Sequence, residues 1–336
     1  MPRAQDPTQS LLRWGIEHAA PGSLAETAQA VKDGKRPDLS TDVLKHIMGT
    51  SDADRIRECL MVIDGNWVDR DGTTEVKHSD DITDDDKYRA WDDLEMLVED
   101  LDNANDLKSI GGWPTIVKHL TDSDDEIVLR ACWVAGTAVQ NNPRALETFL
   151  TYNPLPVLLQ ILTSTTSTVE ARSKALYCLS STLKHCPPAV DVFAAPPLDG
   201  YRVVATRLLH DPAQKVRTKS VFLLAQLASQ APDADALARR LRDAGVTQAV
   251  LASLDEQTAV PTSADGTDRE IDADYRSKSV RFLANVVDAT EGRGLDAAEK
   301  DKLRAVLATV PSGWNAEEEL GMSSDEWRAF NRAIEP

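Results

Sequence analysis

Apolar positions along this chain recur at helical spacing, three to four residues apart, and alternating strand-like patterns are almost absent. The stretches are punctuated by helix stop and start residues such as Gly111-Gly112, Asn142-Pro143 and Pro187-Pro188, so the pattern predicts an all-α fold. Within it, a basic residue followed by a small one opens an apolar helix five times: Arg89-Ala90, Arg130-Ala131, Lys174-Ala175, Lys219-Ser220 and Lys278-Ser279. The intervals are 41, 44, 45 and 59.

A period in the low forties containing only helices is the spacing of armadillo and HEAT repeats, in which no repeat buries its apolar face alone. The long last interval holds an insertion, Asp255 to Asp272, rich in Pro, Ser, Thr, Gly and Asp, as a surface loop would be. Each helical residue turns the chain by about 100°, so the register can be tested by angle. Counting from the small residue as zero, positions zero, +4, +7 and +8 share one face: Ala90, Leu94, Leu97, Val98; Ala131, Ala135, Ala138, Val139; Ala175, Leu179, Thr182, Leu183; Ser220, Leu224, Leu227, Ala228; and Ser279, Leu283, Val286, Val287. That face is the expected core. Positions −1, +2 and +6 lie opposite and vary in chemistry: Arg89, Asp92, Met96; Arg130, Trp133, Thr137; Lys174, Tyr177, Ser181; Lys219, Phe222, Gln226; Lys278, Arg281, Asn285. In an armadillo stack, a right-handed superhelical solenoid, the third helix of each repeat lines the concave surface, so this face is expected to form a groove for a ligand protein.

Ahead of the repeats, residues 1–36 form an N-terminal segment expected to be flexible and residues 37–66 a short helical region, with the polar link Asp33 to Asp38 across their boundary. An acidic linker is expected over 67–86, the repeat domain over 87–310 and a helical tail over 311–336.

Composition narrows the function. A hydrophobic fraction of 42% over 336 residues can bury a large core, and the formal charge of −18, from 37 basic and 55 acidic residues, disfavours nucleic acid as a partner. No apolar run is long enough to span a bilayer, and Met1 to Asp6 lacks a signal-peptide core, so a cytoplasmic protein is expected. Cys59, Cys132, Cys178 and Cys186 have no zinc-like spacing, and Cys132 and Cys178 fall in apolar helical runs where a thiol acts as a small core group. The six histidines are scattered, the carboxylates of Asp80 to Asp86 lack the glycine and distal glutamate of a calcium loop, and neither a phosphate-cradling loop nor a nucleophile motif is present. No catalytic residue, metal or cofactor is therefore expected.

Several segments resemble one family. LVEDLDNAND (Leu97 to Asp106), AGTAVQNN (Ala135 to Asn142), ARSKALYCL (Ala171 to Leu179), VRTKSVFLL (Val216 to Leu224) and LLRWGIE (Leu11 to Glu17) are similar to the armadillo-type exchange factors of seventy-kilodalton heat-shock chaperones, above all the fungal cytosolic members. The resemblance covers most of residues 9 to 230 and thins after Leu254, while the acidic stretch Asp69 to Asp86 and the insertion Asp255 to Asp272 look longer than the family pattern. It implies a curved armadillo domain that wraps one lobe of the chaperone's ATPase domain so that ADP leaves, without chemistry of its own on the nucleotide; an open stack of repeats is itself expected to be monomeric. It also implies a mobile N-terminal segment, with Leu11, Leu12, Trp14 and Ile16 at the matching positions, that enters the chaperone's substrate-binding domain and helps release substrate. The chaperone-binding residues expected from register and resemblance together are Asn103, Ala104, Asn105, Arg130, Trp133, Lys174, Tyr177, Lys219 and Phe222.

Plainer readings stand beside these. The basic column has an acid four residues upstream in four repeats (Asp85, Glu126, Glu170, Asp274), an ordinary surface pairing, whereas Lys219 has Lys215 there. Trp133, Tyr177 and Phe222 could fill space between helices, LDNAND could be a helix end and turn with Ala104 in it, and Leu11 to Ile16 could be a docked helix. The competing function is an armadillo scaffold for extended peptides, but the ladder of Trp and Asn that such grooves carry is missing from the +2 and +6 columns.

Overall fold

The structure, a computed structural model, describes residues 51–65, 82–255, 272–309 and 315–335. The sequence readings for Leu11, Leu12, Trp14 and Ile16, for positions 67–81 beyond the first helix, and for the interior of the 255–272 insertion lie outside the described residues. The chain divides into two compact units, 1–58 and 59–336. The described part of the first is the opening of helix α1 (Asp52–Ile63), and the second holds all of the repeats.

The repeats are built on five long helices: α2 (Asp84–Val98), α5 (Asp125–Val139), α8 (Val169–Leu183), α11 (Gln214–Ser229) and α14 (Ala273–Ala289). Between them lie pairs of shorter helices: α3 (Leu101–Ile110) and α4 (Gly112–Lys118), α6 (Pro143–Leu150) and α7 (Leu155–Thr163), α9 (Pro187–Ala194) and α10 (Gly200–Thr206), α12 (Ala234–Ala244) and α13 (Val246–Ser253). Successive long helices pack side by side, so each repeat borrows its neighbour's face to complete a core. The chain closes with α15 (Ala297–Ala308), α16 (Ala316–Leu320) and α17 (Ser324–Ile334).

All twenty positions assigned to the core face are buried, from Ala90 and Leu94 in α2 to Val286 and Val287 in α14. Three carry hydroxyls, and each of these donates one turn back: Thr182 to the Cys178 carbonyl, Ser220 to Val216 and Ser279 to Tyr275, all at 2.7 Å. A buried hydroxyl so satisfied costs little. Cys132 and Cys178 are fully buried, and burial pushes the Cys178 thiol up to about 12, leaving it an inert packing group. α5 and α8 approach closely at Gly136, where a Cβ would stand 2.7 Å from the Tyr177 ring and 3.0 Å from the Cys178 backbone.

Two boundaries differ from the sequence reading. The acidic linker does not extend to residue 86: Thr83 caps α2 through a capping box with Asp86, and Asp84, Asp85 and Asp86 form the helix's first turn, where their charges complement the helix dipole. Likewise LDNAND is a helix start rather than a helix end. The Asp100 carboxylate accepts from the Asp102 and Asn103 amides at 2.9 and 3.1 Å and launches α3, which ends on Gly111 at a positive φ of 81°.

Candidate partner-binding groove

The opposite faces of α2, α5, α8 and α11 line one depression. Its walls include Glu95 and Glu99, Leu101 at the start of α3, Trp133 and Thr137, Lys174 and Tyr177, and Lys219. Of the expected contact residues, Trp133, Lys174, Tyr177 and Lys219 share this depression, while Arg130 and Phe222 lie on α5 and α11 outside its lining.

At the α2 end, Arg130 is neutralised within the fold. Its guanidinium reaches Asp92 at 3.0 Å and Glu126 at 2.7 Å and lies 4.5 Å from the centre of the Tyr88 ring. Further along, Tyr177 bridges two helices: its hydroxyl donates to Gln140 at 3.2 Å and lies 3.3 Å from that of Thr137, which donates to the buried Glu95 carboxylate at 2.8 Å.

The centre is different. Lys174 does not take the upstream acid expected from helical spacing, because Glu170 pairs with Lys215 of the next repeat at 3.4 Å. Its ammonium instead stands 3.0 Å over the Trp133 ring. Burial, followed by repulsion from Lys219, brings the Lys174 pKa down to about 8. Lys219 donates to the Ser173 carbonyl at 3.2 Å, and burial and then Lys215 lower its pKa as well. Among the described residues neither lysine lies within ion-pair distance of a carboxylate, so two partly desolvated cations share the middle of an otherwise acidic molecule. Phe222, 52% exposed, stands beside them on α11.

Three expected contact residues sit elsewhere. Ala104 is 1% exposed, packed on the inner side of α3, so it is not presented at a groove edge. Asn103 is half-buried and donates to the Leu97 carbonyl at 2.9 Å, tying α3 to the end of α2. Asn105 is also half-buried, and its side-chain oxygen has no hydrogen-bond partner among the described residues. In the +6 column Ser181 is buried rather than groove-facing. Sequence reasoning in turn missed Leu101, which is 53% exposed on the rim, because its apolar side chain looked like an ordinary helix member; Met96, which the register put on the groove face without naming it a contact, is 69% exposed. Lys278 pairs with Asp274 at 2.5 Å as spacing suggested, whereas Arg281 and Asn285 meet other parts of the chain: the Leu320 and Ala225 carbonyls respectively.

Among the described residues no cluster of His, Cys, Asp and Glu could hold a metal, and no helix is long and apolar enough to cross a membrane.

The architecture is that of armadillo repeats. Two designed armadillo repeat proteins, 13% and 15% identical, superpose with TM-scores of 0.57 and 0.58 over 83% of this chain and 100% and 99% of theirs; the second is in complex with a (KR)4 peptide. By sequence, residues 8–107 match the model for nucleotide exchange factor Fes1, and residues 103–248 match that for the SIL1/FES1/HPBP1 C-terminal domain. The Hsp70 nucleotide exchange factor FES1 of Mycosarcoma maydis is 35% identical over 67% of this chain, which spans 55% of that relative's length. The namesake protein of Gibberella zeae is 32% identical over 55% of this chain and 80% of its own length. With residues 8–248 matched by two successive family models and 80% of the Gibberella zeae relative covered at 32% identity, the chain belongs to the Fes1 family of Hsp70 nucleotide exchange factors.

Proposed function

We propose that the protein is a nucleotide exchange factor that binds the ATPase domain of a cytosolic seventy-kilodalton heat-shock chaperone along its groove and favours the open, ADP-releasing arrangement. The observation that carries the binding site is Lys174 over Trp133 with Lys219 near it, two ammonium groups with no carboxylate at ion-pair distance among the described residues. Each has lost part of its hydration, and each is destabilised by a neighbouring lysine. An acidic surface on the partner would relieve both effects, while Trp133, Phe222 and Met96 supply apolar area for anchoring. Arg130, already neutralised, contributes shape rather than free charge.

The factor needs no chemistry of its own. Binding that favours the open state of the chaperone's ATPase domain weakens nucleotide affinity by the same free energy, so the protein works as a monomeric, non-enzymatic effector without a cofactor. The N-terminal residues Leu11, Leu12, Trp14 and Ile16 assist by engaging the chaperone's substrate-binding domain.

A peptide scaffold is disfavoured. One structural neighbour is in complex with a (KR)4 peptide; here Lys174 and Lys219 in the groove would repel such a ligand.

The test is the double variant Lys174→Glu/Lys219→Glu against the isolated ATPase domain, by calorimetry. Loss of central interface contacts costs about 2 kcal/mol or more, roughly thirtyfold in affinity. Unchanged affinity in a variant that melts normally would move the interface away from α8 and α11.

A further inference from the structure

The groove face of the fifth long helix is partly covered by the tail, with Lys278, Arg281 and Asn285 half-buried. Arg281, which holds the place in α14 that Trp133, Tyr177 and Phe222 hold in α5, α8 and α11, donates to the Leu320 carbonyl at 3.1 Å. Ser277 donates to Glu319 of α16 at 3.2 Å. Asp325, Glu326 and Ala329 of α17 share a small cavity with Arg281, Ala284 and Asn285 of α14.

The tail is anchored in its own right. Leu320, Met322, Phe330 and Ile334 are buried, and Arg304 of α15 holds the Ile334 carbonyl. It also brings carboxylates: Glu317, Glu318 and Glu319 in the first turn of α16, and in that of α17 Glu326 and Asp325, the latter paired with Arg328 at 2.6 Å. All of this lies beyond residue 248, where the match to the C-terminal-domain family model ends.

We propose that α16 and α17 are a built-in occupant that closes the groove at α14, so that the chaperone's footprint ends at α11. The tail acts as an acidic fence. An acidic partner is drawn to Lys174 and Lys219 and repelled from the α14 end, which fixes its register along the stack. Carboxylates thereby flank the cationic, aromatic centre on both sides, Glu95 and Glu99 toward α2 and those of the tail toward α14. This inference rests on the functional reading above and adds where the interface stops.

The experiment uses the full chain and a complete chaperone, with two charge-neutralising variants at equivalent positions, Lys219→Gln and Lys278→Gln, alongside hydrogen exchange of the wild-type complex. Lys219→Gln should weaken binding about tenfold, the scale of one charge-assisted hydrogen bond. Lys278→Gln should bind within about twofold of wild type, and the amides of Ala316–Leu320 and Ser324–Ile334 should stay as protected in the complex as in the free protein. A tenfold loss in Lys278→Gln, or deprotection of α17 on binding, would show that the partner reaches α14 and displaces the tail, and would overturn the closure alone. A wild-type chain that bound no chaperone would remove the functional reading, and this inference with it.

Discussion

Ala104 separates a packing effect from an interface effect. On a polar turn, arginine at this position would alter only the approach of a partner. In the structure Ala104 is 1% exposed in the second turn of α3, one turn before the fully buried Leu107. Ala104→Arg therefore forces a long side chain into a filled space. Overpacking alone costs about 1–3 kcal/mol, and a guanidinium without a buried acceptor adds to it, giving about 3 kcal/mol in all. A repeat domain of this size shifts by roughly 2–4 °C per kcal/mol, so the melting temperature should fall by about 6 °C or more. Circular dichroism melting of the variant, next to Lys219→Gln as a groove control expected to melt within about 2 °C of wild type, measures this directly. If Ala104→Arg also melted within about 2 °C of wild type, α3 would have to open toward solvent there, and the burial argument would be refuted.

Two further outcomes concern the groove and the N-terminal segment. Lys174 is brought down to about 8 by burial and then by Lys219, from an ordinary 10.5. Between those values the unfolded chain binds more protons than the folded one, so this lysine makes the fold more stable as pH rises from about 8 to about 10.5. An acidic partner favours the ammonium, so binding should take up protons and weaken as pH rises above 8. Calorimetry in buffers of different ionisation enthalpy would detect the uptake, and stronger binding at pH 9 than at pH 7 would contradict it. Deleting residues 1–36 should leave nucleotide release from the chaperone intact and slow the release of a bound model peptide, followed by fluorescence anisotropy; unaltered peptide release would exclude a substrate-releasing role for Leu11, Leu12, Trp14 and Ile16.

The repeat core was legible because a single angular rule governs it. Positions zero, +4, +7 and +8 sit within one face of a helix, and every one of them is buried in all five repeats. What the sequence hid are contacts between residues far apart in the chain. Helical spacing assigned Glu170 to Lys174, but Lys215, 45 residues on, lies opposite Glu170 in the neighbouring repeat and takes it instead. Arg281 looked like a groove residue by the same register, yet a carbonyl 39 residues further on claims it. Local ambiguity accounts for the rest. An acidic run such as Asp84 to Asp86 is equally a linker or a helix's first turn until Thr83 is seen to cap it, and Asp100 suits a turn as well as an N-cap.

Release of a fluorescent ADP analogue from a purified seventy-kilodalton heat-shock chaperone, followed by stopped flow with and without the full chain, tests exchange activity most directly. Release should accelerate in proportion to added protein until the chaperone is saturated, and the acceleration should be lost in Lys174→Glu/Lys219→Glu. A release rate unchanged by the wild-type protein would contradict an exchange function.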